Sequence, residues 1–265
     1  MKSYLKQRSF NILGNIAIVN FSDNTSKKNK IIFAKEILKK NKNIKTVLEK
    51  SDKFSGRLRK MGTKYLAGEK NKEALYKENG CSFRFNVDTT YFSPRLSNER
   101  KEISSLIKKD SNVLVMFAGV APFSIVIAKN SKPGEVYSNE INREANKYAE
   151  LNAEINGVKN KINFVNGDIK KVAIKLKNQG KKFDFIVMPR PNLKDSFLEQ
   201  AFILSKKGTK IFYYGFCKED EKNLIIDKIK KKASEFRKKI KILNVKSAGE
   251  TAPYKIRVRV DFQIL

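Results

Sequence analysis

The sequence predicts an α/β protein: a small α/β domain followed by a mostly parallel, doubly wound sheet that ends in an antiparallel strand. Three observations carry this. From residue 112 onward, apolar strand-like runs alternate with helical patterns, the sequence form of a parallel sheet covered on both faces. The run VLVMF (113–117) is apolar throughout, as a strand buried on both faces must be. The chain closes on KIRVRVDFQIL, with Ile256, Val258, Val260, Phe262 and Ile264 on one face and Arg257, Arg259, Asp261 and Gln263 on the other. One-face-polar alternation predicts an antiparallel edge strand.

In chain order, residues 11–21 (NILGNIAIVNF) alternate toward a strand, and 27–40 place Ile32, Ala34, Ile37 and Leu38 on one helix among lysines. Residues 45–50, 58–68 and 81–88 read as further strands. Near residue 97 the pattern turns helical, with Ser97 as N-cap and Arg100 at the third helical position. This change divides the chain into a domain of residues 1–95 and a larger one of 96–265. In the second domain PFSIVIAK opens a helix, 135–140 is a strand, and 142–156 is a helix. Strands follow at 161–165, 183–188 and 209–216, and a long charged helix at 219–239 leads to two terminal strands.

Lys and Arg number 57 against 27 Asp and Glu, a formal net charge of +30. An excess of that size points to a polyanion, and nucleic acid is the natural one. The small, basic first domain is expected to contact that polyanion. No apolar run approaches the ~18 residues of a membrane-spanning helix, and the start MKSYLKQRSF lacks a signal-peptide core. Cys81 and Cys217 fit no metal or redox spacing and read as reduced thiols of a cytoplasmic protein. The chain contains no histidine and no tryptophan. Histidine-based triads and the usual zinc sites are excluded, no metal is expected, and carboxylates and lysines remain to move protons.

A strand that ends in FAGVAPFS and opens a helix forms a ligand loop at the carboxyl edge of a parallel sheet. Gly119 lets the backbone approach a ligand, and the small Ala118 and Ala121 keep the space open. The pattern is not G-x-G-x-x-G, which disfavours a pyrophosphate dinucleotide. Glu140, ending the next strand, suits the two hydroxyls of a ribose. Asp168, after the third strand, suits an adenine amine. Both acids are also at home at helix N-termini, where the dipole favours them.

These residues resemble the archaeal and eukaryotic tRNA (guanine-N1)-methyltransferase family, which acts at position 37, just 3′ of the anticodon. The resemblance runs from about residue 8 to the C-terminus. It is strongest in YFSPRLSNER (91–100) and MFAGVAPFS (116–124), and KTVLEK, KYLAGE (64–69) and KENGC (77–81) also match. It implies a class I (Rossmann-like) methyltransferase fold, S-adenosylmethionine as cofactor, and the tRNA anticodon stem-loop as partner of a monomer, with RNA as the polyanion that the first domain contacts. On this resemblance residue 1 falls where the family's second domain would begin, and a counterpart of its elbow-docking N-terminal domain is not expected.

Carried over residue by residue, the resemblance implies Glu99 as general base and Arg59 facing the base's O6. Tyr91, Arg100, Phe117, Ala118, Gly119, Val120 and Pro122 would hold the methionine end of the cofactor. Glu140 with Ile141 would take the ribose, and Asp168 with Ile169 the adenine, and Pro189 is also placed among the cofactor-binding residues. Arg59, Arg95, Arg190, Pro191 and Asn192 would meet the RNA. One departure stands out: where the family has Asn-Leu-Pro, this chain has Pro189-Arg190-Pro191 followed by Asn192. That leaves two alternatives open. One is a wyosine-pathway relative, which moves a methyl or aminocarboxypropyl group onto a tricyclic guanine; the aminocarboxypropyl-transferring sister family has a loop that reads FAG-x-GYF, where this chain has FAGVAPF. The other is a non-catalytic RNA-binding relative.

Overall fold

The computed structural model describes residues 10–52, 56–252 and 254–265; residues 8 and 9, where the resemblance begins, lie outside the described residues. The chain divides into two compact units, Met1–Pro94 and Arg95–Leu265.

The first unit contains β1 (Phe10–Leu13), β2 (Ile16–Val19), α1 (Lys27–Lys40), β3 (Thr46–Lys50), β4 (Thr63–Gly68), β5 (Glu73–Glu78) and β6 (Cys81–Asn86). Strands β1-β2-β3-β4 form one sheet with a parallel β2–β3 pair at its centre. The strand expected over 11–21 is a hairpin instead. Gly14 turns the chain at φ 59°, and a Cβ there would lie 1.8 Å from the Leu75 carbonyl oxygen, so only glycine fits. Helix α1 is capped by Ser26, whose side chain accepts from the Asn29 N–H, and buries Ala34 and Ile37 against Val19, Val47 and Ala67. Ile32, expected on that face, is exposed. The buried stripe runs through Phe33, Ala34, Ile37 and Leu38, and position 32 lies on the far side of the 3.6-residue period.

Strand β5 was not expected. It pairs with β6 across Asn79 and Gly80, both at positive φ (50° and 71°). Asn-Gly between strand-like runs is the strongest short-range hairpin signal in a sequence, and KENGC carries it. Phe83 and Phe85 of this hairpin pack on Phe92, the Phe85–Phe92 rings stacking at 4.6 Å.

A 3-10 turn, Pro94–Leu96, starts on the last residue of the first unit and runs directly into α2 (Ser97–Leu106) of the second. Leu96 therefore takes the cap position, and Ser97 is the first helical residue rather than the N-cap. There follow β7 (Val113–Met116), α3 (Pro122–Asn130), β8 (Val136–Glu140), α4 (Arg143–Ile155), β9 (Ile162–Asn166), α5 (Ile169–Asn178), β10 (Phe183–Met188), α6 (Leu198–Leu204), β11 (Ser205–Lys218), α7 (Lys222–Glu235), β12 (Ile240–Ala252) and β13 (Lys255–Ile264).

The sheet order is β12-β13-β11-β10-β7-β8-β9. Strands β9 to β11 run parallel, and β13 lies antiparallel between β11 and β12. The terminal strand is therefore interior, and β12 is the edge. The polar face of β13 is not a solvent face either: Arg259 is 1% and Asp261 6% exposed. Acids of α2 lie over that face and pair with it. Strand order reverses between β7 and β10, and in open α/β sheets ligands bind outside the strands' carboxyl ends at such a switch point.

Candidate active site

The loop after β7 occupies the switch point. Phe117, Gly119 and Ala121 all sit at left-handed φ (58°, 58° and 64°). Non-glycine residues hold that conformation only where their surroundings enforce it, and such strain gathers at ligand clamps. Here the Ala118 N–H donates to the Asn139 carbonyl at 2.8 Å, and the Ala121 N–H to the Ala118 carbonyl at 3.0 Å. The Asn152 amide donates to the Val120 carbonyl at 3.3 Å. Pro122 opens α3 at its first position, where no N–H is needed. Ala118, Val120 and Pro122 are buried, and Phe117 and Gly119 half-buried.

Glu140, at the end of β8, is 9% exposed. Its Oε1 accepts from the Ile141 and Asn142 N–H groups at 2.9 and 2.8 Å, and its Oε2 from the Gly119 N–H at 2.7 Å. Burial raises its carboxyl above the usual range, and the three N–H donors work against that rise. A carboxylate offers about four acceptor sites, so one is left, on Oε2. A single ribose hydroxyl fits there at once; the two-hydroxyl contact expected from sequence requires Gly119 to yield its bond. Glu140 thus also ties the β7 loop to the start of α4, a role the sequence did not disclose.

Asp168 is the N-cap of α5, accepting from the Lys170 N–H at 3.0 Å, and Ile169 beside it is buried. Asn139 fixes this turn by donating to the Val165 and Gly167 carbonyls at 2.7 and 3.0 Å. Sequence reasoning missed Asn139, although a polar residue in a strand buried at every position was a visible signal. It also missed Phe197, whose ring meets Phe117 edge-on at 4.9 Å, and which stands beside Lys170 paired with Asp195.

Glu99, on α2, lies in a buried charge cluster. Its Oε2 accepts from the Tyr214 hydroxyl and from Arg259 Nη1, both at 2.8 Å, and its Oε1 pairs with Lys246 Nζ at 2.9 Å. Arg259 also donates to both oxygens of Asp261, at 2.8 and 2.9 Å, and to Glu102 at 2.6 Å. Lys246 also pairs with Glu102. Burial and the neighbouring Glu99 carboxylate push the Tyr214 hydroxyl well above its ordinary value, so it remains a neutral donor. Tyr214, Lys246 and Arg259 come from β11, β12 and β13, and no local sequence pattern links them to α2.

The other expected residues are distributed as follows. Arg100 is 1% exposed, with its guanidinium over the Phe123 ring at 5.6 Å. Arg95 is exposed and donates to the Glu250 carbonyl at 3.1 Å. In the first unit, Arg59 (φ 53°) lies over the Tyr91 ring at 4.7 Å, which brings together two residues singled out separately. Pro189 and Pro191 are half-buried and Asn192 is exposed. Arg190, expected to meet substrate, is 6% exposed and folds back on its own loop. Its Nη1 donates to the carbonyls of Pro191, Leu193 and Asp195 at 3.1, 3.1 and 3.2 Å, and its guanidinium lies over Tyr213 and Phe216. Prolines on both sides remove two backbone donors from this turn, and the arginine supplies donors in their place. A substrate contact from Arg190 requires this clamp to open.

Known proteins are similar to this one over nearly the whole chain. The Trm5b tRNA (guanine(37)-N(1))-methyltransferase of Pyrococcus abyssi is 34% identical over 257 residues, 97% of this chain and 74% of that one. Its crystal structure matches with a TM-score of 0.84. The tRNA (guanine(37)-N(1))/4-demethylwyosine(37)-methyltransferase Taw22 of Nanoarchaeum equitans is 33% identical, covering 97% of this chain and 100% of Taw22. A complex of aTrm5 and tRNALeu matches with a TM-score of 0.82 at 28% identity, over 97% of this chain and 72% of that one. Residues 3–71 match the TYW2 N-terminal domain, and residues 74–243 match the TRM5/TYW2 methyltransferase domain. The junction between those two matches precedes the β5–β6 hairpin, whereas the compact units divide at Pro94. With a strained loop, a buried acid and a capping acid following three successive strands, and a match of this length, the chain belongs to the TRM5/TYW2 methyltransferase family.

Proposed function

We propose that this protein transfers the methyl group of S-adenosylmethionine to N1 of guanine 37 of tRNA. The observation that carries the reading is the convergence of the Phe117–Ala121 loop, Glu140 and Asp168 at the switch point of the sheet. These residues fit an adenosine-bearing ligand. Glu140 keeps one open acceptor site for a ribose hydroxyl, Phe117 offers apolar surface to a flat ring with Ile169 buried beside Asp168, and the small residues at 118, 119 and 121 let backbone approach. Tyr91, Arg100, Val120, Pro122, Ile141 and Pro189 are the further residues proposed to line the cofactor. The cofactor supplies a methyl group already activated by its sulfonium.

The protein's own part is proton removal and orientation. Guanine N1 carries a proton at neutral pH and becomes a nucleophile only as that proton leaves. Glu99 takes it while the N1–methyl bond forms, and the electron pair of the broken carbon–sulfur bond stays on sulfur. Charge that builds on O6 is stabilised by an arginine, the role the resemblance gives to Arg59. Arg95, Pro191 and Asn192 are proposed to contact the RNA around the base. The test is methyl transfer to unmodified tRNA transcript followed by nucleoside analysis. N1-methylguanosine is expected, and no methylated nucleoside would sink the reading.

The anticodon stem-loop is the proposed recognition element. The basic first unit, with Lys27, Lys28, Lys35, Lys39 and Lys40 exposed on α1, supports it. Binding should weaken with salt at a log–log slope of about −0.7 to −0.9 per neutralised phosphate, and an isolated stem-loop should be methylated. Methylation confined to full-length tRNA would refute this.

The Pro189–Asn192 segment favours a second reading, in which a modified or tricyclic guanine is also accepted, as the name of the Taw22 relative states for that protein. A site built to hydrogen-bond one base edge rejects others because a wrong base leaves buried polar groups unpaired. Proline at 189 offers no side-chain donor or acceptor, and Arg190 is occupied with its own loop. Selectivity for guanine over the tricyclic base should therefore rise in Pro189→Asn. Methyl transfer to stem-loops carrying each base reads this directly, and equal selectivity in the two chains removes the second reading.

A further inference from the structure

The two oxygens of Glu99 are held in different ways. Oε2 has both of its lone-pair directions filled, by the Tyr214 hydroxyl and by Arg259 Nη1. Neither donor is free to leave. Tyr214 is fully buried, and Arg259 is 1% exposed with its remaining nitrogens bound to Asp261 and Glu102. Oε1 accepts from Lys246 alone, which leaves one acceptor site on the whole carboxylate. Lys246 differs in kind from the other two donors. It stands on the edge strand β12, its side chain is 32% exposed, and it is a single amine on a flexible stem shared with the half-exposed Glu102.

We propose that Lys246 is a positioning residue of the reaction: as the partly exposed, flexible cation on Glu99, it steers the carboxylate so that Oε1 receives the guanine proton. The inference rests on Glu99 being the base. The charged and titratable groups around Glu99 are Arg100 and Glu102 on its own helix, Tyr214 on β11, Lys246 on β12, and Arg259 and Asp261 on β13. Among them the three acids Glu99, Glu102 and Asp261 face two cations in direct contact, Lys246 and Arg259. Removing Lys246 leaves three acids around one cation. A carboxylate that loses an adjacent cation is more readily protonated. Since Glu99 must be ionised to accept a proton, the acid limb of the rate should move to higher pH.

The test compares single-turnover methyl transfer to stem-loop RNA across the acid and neutral range in the full chain and in Lys246→Met, Lys246→Gln, Lys246→Arg and Glu99→Gln. Cofactor affinity and thermal melting are measured beside each. The limb should rise by about one pH unit in Lys246→Met and Lys246→Gln, the lower end of the shift that an adjacent opposite charge produces. It should return toward the parent in Lys246→Arg, with cofactor affinity unchanged throughout. A purely structural lysine would lower the rate or the melting temperature without moving the limb. If Glu99→Gln is slow and the limb of both neutral variants coincides with the parent's, this inference fails and the base assignment stands. If Glu99→Gln turns over at the parent rate, the base assignment fails and this inference fails with it.

Discussion

Glu99→Gln should slow single-turnover methyl transfer by about 10²-fold or more while cofactor affinity changes little. Glutamine keeps the shape of the side chain and an oxygen for Arg259, but it has no charge with which to take a proton. The competing explanation for any loss is structural, since Glu99 anchors a cluster drawn from α2, β11, β12 and β13. The two separate cleanly. Arg259 keeps Asp261 and Glu102 as partners in the variant, so the fold should survive. A rate measured at saturating cofactor, well below the melting temperature, then reports the chemical step. A near-normal rate would mean that Glu99 is an ion-pair anchor and that another group moves the proton.

Glu140→Ala should weaken S-adenosylmethionine binding ten-fold or more. The proposed ribose contact it removes is a charge-assisted hydrogen bond worth roughly 1.5–3 kcal/mol. A second loss adds to it: the N–H groups of Gly119, Ile141 and Asn142 lose their acceptor together. Buried donors left unpaired cost about 1–3 kcal/mol each. Both the β7 loop and the start of α4 then loosen, so the melting temperature should fall as well. Asp168→Ala is the companion variant. It removes the proposed adenine contact along with a helix cap whose loss costs about 0.5–2 kcal/mol. Titration calorimetry with the cofactor, alongside a thermal melt of each variant, separates binding from stability. Unchanged affinity in both variants would show that these acids serve the backbone alone.

The fold of the second unit was legible because its signals are local. A continuously apolar strand, a glycine-bearing turn and an amphipathic helix each declare themselves within one element, and their alternation specifies a parallel sheet. The positions of the loop after β7 and of Glu140 and Asp168 were legible for the same reason, as ends of successive strands. The β5–β6 hairpin was equally legible, through Asn79-Gly80, but it lacks the long apolar run that draws attention to a strand. Tertiary structure alone decided three things. It placed β13 inside the sheet rather than at its edge, because a polar alternation looks the same whether water or the acids of α2 cover it. It turned Arg190 inward, because three carbonyls of its own loop, at Pro191, Leu193 and Asp195, converge on one guanidinium nitrogen once the chain has turned. And it gave Glu99 its partners Tyr214, Lys246 and Arg259, which are more than a hundred residues away in the chain. Residue type and spacing determine which groups are present and which element carries them. Which charges meet is settled only when distant strands and a helix close on one another, because the interaction that selects them acts through space and leaves no period in the sequence.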